Sequence, residues 1–146
     1  KEEKSMDKAA IIYWSGTGHT EAMANAVAEG MASAGVQADV FSVSDFTGSL
    51  DDYSKVAFGC PAMGDEVLEE SEFEPFFSGV EDSLSDKTVT LFGSYDWGDG
   101  QWMRDWQERV ESAGAYLTGG EGVIANYEPD AGALENCREL GKQLSA

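Results

Sequence analysis

The residues best equipped for chemistry in this chain stand in three short loops. The first is Ser15-Gly16-Thr17-Gly18-His19-Thr20, which follows an apolar run and opens straight into a helical pattern. Small residues let backbone amides converge, hydroxyls donate, and a helix N-terminus adds about half a positive charge, so this set can cradle a phosphate. A nucleoside-triphosphate loop needs Gly-Lys-Ser/Thr after its glycines, and a dinucleotide fingerprint needs a third glycine where Glu21 stands, so neither fits. Phosphate held by uncharged donors remains. Taken alone, the loop fits a phosphate cradle and an ordinary N-capped turn equally well.

The second loop is Pro61-Ala62-Met63-Gly64-Asp65-Glu66 and the third, after Ser94, is Tyr95-Asp96-Trp97-Gly98-Asp99-Gly100. Each offers a large polarizable or aromatic side chain beside glycine, and Met63 and Trp97 can sandwich a flat ring. Carboxylates and free amides of the same loops can read the polar edge of that ring. Singly, Met63 reads as a core residue and Trp97 as a partly exposed tryptophan. A phosphate loop at a neighbouring strand end shifts the balance toward a bound, phosphorylated, planar ligand.

The elements that must position these loops follow from periodicity. Ala9 to Trp14 is a continuous apolar run, the mark of a strand buried on both faces. Thr20 to Ala34 is helical in its apolar spacing and Gly35 stops it. Strands are predicted over Ala38 to Val43, Lys55 to Cys60 and Lys87 to Ser94, with a short helix in Ser44 to Asp52. Helices are predicted over Glu72 to Val80, with Phe73, Phe76 and Phe77 on one face, over Gly100 to Ala113, and over Asp130 to Leu144. A last strand spans Ala115 to Ile124, with Gly119 and Gly120 as the place for an interruption. Five strands alternating with helices make an α/β fold: a doubly wound, five-stranded parallel sheet covered on both faces. Ligands of such sheets lie beyond the carboxyl ends of the strands.

Composition removes several function classes. The 146 residues carry 28 acidic against 9 basic side chains, a formal charge of -19 that repels phosphate backbones and anionic lipid. Nucleic acid and membrane surfaces are therefore not expected partners. No apolar run reaches the ~20 residues that span a bilayer, and no secretory h-region opens the chain. Cys60 and Cys137 form no CxxC and there is a single histidine, so no metal site is expected and a reducing, cytoplasmic setting is. One domain over residues 1–146 is expected, with Met6 a candidate start that would make residues 1–5 an upstream extension.

The stretches YWSGTGHTEAMA, GCPAMGDEVLEESEFEPFF and LFGSYDWGDGQWMRDW resemble the short-chain, anaerobe-type flavodoxins, colinearly from about Ala9 to the C-terminus. The resemblance implies strand order 2-1-3-4-5, for which flavodoxin is itself the standard example, and non-covalently bound FMN. Ser15, Thr17, His19 and Thr20, with the amides of Gly16 and Gly18, match the phosphate loop, and Ser94 a serine that approaches the phosphate. Met63 matches the residue on the inner flavin face, Trp97 that on the outer face, with Pro61, Ala62 and Tyr95 in the same loops. The Gly64-Asp65 peptide matches the bond that rotates on reduction. Glu66 matches the carboxylate that receives flavin N3–H, and Gly98 an amide near the pyrimidine oxygens. Two positions depart from the family. His19 stands where asparagine is usual and keeps an N–H to donate. Asp96 stands where glycine is usual: a glycine-only backbone would strain it, a carboxylate near N1 would disfavour anionic reduced flavin, and a solvent-pointing side chain would do neither.

A low-potential one-electron carrier between semiquinone and hydroquinone is the implied function, with ferredoxin-type donors and acceptors as transient partners and a monomeric state. One fixed charge ~10 Å from an anionic hydroquinone, at an effective dielectric of about 40, disfavours it by roughly 0.8 kcal/mol or about 35 mV. From Asp65 to Asp86 there are nine acidic residues and no basic one. That run suits a solvated face and a docking surface for basic-faced partners. A small FMN-dependent quinone or nitro reductase is the alternative, and it needs a substrate pocket. A phosphoacceptor receiver domain is opposed by Trp14, Ser15 and Cys60 where acidic residues are required.

Overall fold

The computed structural model describes residues 8–146, so the candidate start at Met6 lies outside the described residues. Alternating burial in β1 (Ala9–Tyr13) decides the architecture: Ala10 and Ile12 enter one apolar layer, Ala9 and Ile11 the other. A strand with no polar face must be central and covered on both sides. β1 accordingly lies between β2 (Asp39–Ser42) and β3 (Lys55–Gly59), parallel to both. β3 pairs in parallel with β4 (Thr88–Tyr95), and the order is β2-β1-β3-β4-β5.

The last strand position is divided, at the glycines that marked it in the sequence. β5 (Tyr116–Leu117) pairs with the start of β4 and β6 (Val123–Asn126) with its end. Between them Gly119 and Gly120 both have left-handed backbones, at φ 76° and 77°, and the Gly122 amide donates to Gln107 Oε1 at 2.7 Å. The segment expected to hold a short helix after β2 forms two single 3-10 turns, Val43–Asp45 and Leu50–Asp52. Ser49 caps the second turn by accepting from the Asp51 amide. Six acidic or hydroxyl side chains in the nine residues from Ser44 to Asp52 compete for backbone amides and keep the helix from lengthening.

Helices α1 (His19–Ser33) and α4 (Ala131–Ser145) cover one face of the sheet; α2 (Phe73–Val80) and α3 (Gln101–Ser112) cover the other. A Cβ on Gly30 would run into the Arg138 carbonyl and one on Gly141 into the Val27 carbonyl, so glycine is what lets α1 and α4 approach. On the opposite face Phe73 and Phe77 are fully buried edge-on against Trp106, with ring centroids 5.5 and 5.8 Å apart, and Phe76 packs beside them half-buried. Arg109 of α3 ties this layer to α2. Its guanidinium bonds both oxygens of Glu74 at 2.9 Å, reaches Glu81, and lies 4.9 Å over the Phe77 ring. No helix among the described residues is long and apolar enough to cross a membrane.

Candidate functional site

The three loops meet beyond the carboxyl ends of β1, β3 and β4. They border a cleft of about 190 Å3. The first loop lines it with Gly16, Thr17 and His19, the second with Pro61, Ala62 and Met63, and the end of β4 with Ser94, Tyr95 and Asp96. Trp14 lines it too, a residue the sequence marked only as the end of a strand; its indole N–H donates to Glu72 Oε1 at 2.8 Å. A larger hollow of about 420 Å3 lies at the other end of the sheet. There Lys87 Nζ donates to the Leu50 and Tyr53 carbonyls at 2.9 and 2.7 Å, which joins elements.

The first loop is held by its own serine. Ser15 Oγ accepts from the amides of Gly18 and Glu21 at 3.1 and 3.2 Å, closing the turn into α1, while Gly18 takes a left-handed backbone at φ 98°. Among the described residues the amides of Gly16 and Thr17 donate to no protein group. Beneath them Thr20 and Ser94, both buried, share a hydroxyl contact of 3.2 Å, and the Ser94 amide reaches Thr20 Oγ1 at 3.4 Å. One hydroxyl proton serves that contact and the other stays available. Free amides at the start of a 15-residue helix, with hydroxyls alongside, fit a phosphate group.

The second loop is a tight turn with clamped ends. Met63 and Val67 exchange backbone hydrogen bonds of 2.8 and 3.0 Å, leaving Gly64, Asp65 and Glu66 to make the reversal. Gly64 and Glu66 both have left-handed backbones, at φ 51° and 59°. A Cβ on Gly64 would meet nothing within 4 Å. Among the described residues neither the Gly64 carbonyl nor the Asp65 amide has a hydrogen-bond partner. Met63, Gly64 and Asp65 also border a second hollow of about 410 Å3, together with Val67, Glu69, Glu70 and Ser71.

Two carboxylates hold this turn to the helices behind it, a role the sequence did not disclose. Glu66 Oε1 accepts from the Gly100 and Trp102 amides at 3.2 and 3.4 Å, and Oε2 from Asp99 at 3.5 Å. It thus caps α3, whose own N-cap is glycine, and Gly98 leaves room for the carboxyl. Glu69, 6% exposed, takes the Ser71, Glu72 and Phe73 amides at 2.8 to 2.9 Å and caps α2. Burial opposes the Glu69 charge, but the amides of Phe73, Glu72 and Ser71 overcome it and hold its pKa below the usual carboxylate range. Cys60 lies under the same turn, its Sγ accepting from the Glu69 amide at 3.3 Å, and burial pushes its thiol pKa up. It packs as a small apolar residue.

The third loop leaves Trp97 60% exposed at the rim, and Met63 is 37% exposed on the side of the second loop. Asp96 is exposed and its backbone is not left-handed, so the strain allowed for at a glycine position does not arise. Its carbonyl accepts from Asn126 Nδ2 at 3.4 Å, and the Tyr95 carbonyl accepts from the same group at 3.2 Å. Asn126 and Tyr127 therefore belong to the site's surroundings. The strand-end rule would have found them had the last strand been read two residues longer.

The flavodoxin family model matches residues 11–141. The chain belongs to the flavodoxin family. It is 46% identical to a flavodoxin from Clostridium beijerinckii over 92% of this chain and 97% of that protein. A Megasphaera elsdenii flavodoxin is 47% identical over 90% of this chain and 94% of its own length. The solution structure of the two-electron reduced Megasphaera elsdenii flavodoxin superimposes with a TM-score of 0.81, covering 94% of this chain and 98% of that one. Flavodoxins are FMN proteins of electron transport, and the free amides, hydroxyls and Met63 thioether of this cleft, with the Trp97 indole exposed on the third loop, fit that cofactor.

Proposed function

We propose that this chain is a low-potential one-electron carrier, cytoplasmic and monomeric, working as one FMN-binding domain for ferredoxin-type donors and acceptors. When bound, FMN would supply one-electron redox chemistry at low potential. The observation that carries the reading is the Gly64-Asp65 peptide. It lies in a turn fixed at both ends, with no hydrogen bond of its own to break and no Cβ to strain. Such a peptide can turn its carbonyl toward a ring N–H that exists in one redox state and not in another, favouring the one-electron state.

The other residues take fixed roles. Gly16, Thr17, His19, Thr20 and Ser94 would hold the phosphate; Ser15 shapes their loop by accepting the Gly18 amide, and Gly18 supplies the left-handed turn into α1. Met63 and Trp97 flank the ring, with Pro61, Ala62, Tyr95 and Gly98 as backbone around it. Glu66, already anchored on α3, keeps lone pairs for a ring N–H. A cleft of about 190 Å3, small against the ~300–1,000 Å3 usual for small-ligand sites, favours a ligand left open at one edge, which suits electron exchange with another protein. Exposed Asp65, Glu70, Asp96 and Asp99 surround that edge and favour basic-faced partners.

The test uses the FMN-loaded protein, photoreduced and mixed by stopped flow with a ferredoxin-dependent oxidoreductase. Rapid transfer that slows several-fold between low and physiological salt is expected. Steady NAD(P)H oxidation by the isolated protein, with no transfer to the oxidoreductase, would move the assignment to a quinone or nitro reductase.

A further inference from the structure

Tyr127 stands at the corner where β6 ends, and its backbone is left-handed at φ 61° although it is bulky and not glycine. Such a residue is a conformational outlier, retained where its surroundings over-determine it. Two contacts do so. Its amide donates to the Tyr95 carbonyl at 2.6 Å, so the corner is bonded to the chain leading into the Trp97 loop. Its ring, 62% exposed and outside both apolar layers, lies edge-on to His19 at 5.1 Å between centroids and 60° between planes. An extended backbone would carry on the line of β6; the left-handed turn brings the ring to the phosphate loop. His19 is the first residue of α1 and lines the cleft.

We propose that Tyr127 is a positioning residue for the phosphate end of FMN. It fixes the His19 imidazole at the mouth of the phosphate loop, and it accepts backbone strain to do so. The inference rests on the FMN reading of the cleft. It makes the 126–127 corner a fourth element of the site, one that ties the phosphate loop to the loop carrying Trp97. Because the action runs through His19 to the phosphate, it should distinguish FMN from riboflavin, which has the ring and ribityl chain and lacks the phosphate.

The experiment titrates FMN and riboflavin into the apoprotein, following the quenching of flavin fluorescence, for the wild type, Tyr127→Ala, Tyr127→Phe, His19→Asn and the double variant His19→Asn/Tyr127→Ala. Removing the ring contact should weaken FMN about three- to tenfold. Riboflavin affinity should not change, Tyr127→Phe should match the wild type, and Tyr127→Ala should add nothing once His19 is asparagine. Equal loss for both flavins, no loss for FMN, or additive effects of the two single substitutions would overturn the proposal. Tyr127→Gly supplies the folding control: with the strain relieved, the apoprotein should melt no lower than wild type while FMN binds more weakly, and a lower melting temperature would contradict the strain argument. A wild type that binds neither flavin would instead refute the FMN reading itself.

Discussion

The phosphate loop and the turn at Met63–Val67 stand at neighbouring strand ends and are built on opposite plans. In the first, Ser15 Oγ satisfies two amides and the helix behind it is 15 residues long, so the loop keeps its shape whatever it binds. In the second, the ends are pinned by the Met63–Val67 pair and by Glu66 and Glu69, while the peptide at the tip has no partner among the described residues. Affinity belongs to a preformed element, because a fixed donor loses little freedom on binding. Tuning belongs to an element with two accessible states whose difference the ligand can bias. On the proposed FMN reading, affinity would rest with the loop and redox balance with the turn.

Substitutions in the two regions should separate those quantities. Ser15→Ala removes the acceptor of the Gly18 and Glu21 amides, an effect of about 1–2 kcal/mol on the loop. FMN titration of the apoprotein should show a loss of affinity of one order of magnitude or more, and the proportion of one-electron intermediate seen during reduction should hardly change. Equal damage to both would break the comparison.

The pins of the turn come next. Glu69→Gln should cost about 1–3 kcal/mol by denaturant unfolding at neutral pH. The Glu69 pKa is lowered on folding, so its stabilisation is complete above the unfolded value of about 4.3 and disappears as pH falls through the lower folded value. Glu74, held below the usual range by its hydrogen bonds to Arg109, acts in the same direction. Stability measured from pH 6 to pH 3 should therefore fall less steeply in Glu69→Gln than in the wild type. Parallel curves would show that the cap carries no linked proton.

The smallest effect on stability and the most specific on chemistry belongs to Gly64→Val. A β-branched residue with a left-handed backbone costs about 1–2 kcal/mol. Open space around the missing Cβ means the cost is conformational and not a clash. Oxidised FMN should bind within a few-fold of wild type, whereas the one-electron maximum should drop.

Much of this was legible before the structure. The apolar run Ala9 to Trp14, the three loops and the glycine break at 119 and 120 rest on local pattern, and local pattern survives folding. Glu66 and Glu69 were not legible as caps. Glu66 reaches amides 33 to 36 residues away, and nothing in its own segment marks that. A glycine at the N-cap of α3, with no side chain to satisfy the first amides, was the one available hint that a distant carboxylate must do so. Asn126 and Tyr127 were lost to a boundary: the strand continues through Ala125 to Asn126, whose polar side chain ends the apolar run. The outlier backbone of Tyr127 had no sequence signal, since aromatic residues do not announce a left-handed turn.

The most direct test of the central claim is a visible spectrum of the FMN-loaded protein during stepwise anaerobic reduction, with Gly64→Val run beside it. A yellow protein that passes through a large blue intermediate before bleaching is expected, with a smaller blue maximum in the variant. Bleaching with no intermediate in the wild type, or an unchanged maximum in Gly64→Val, would contradict the role given to the turn.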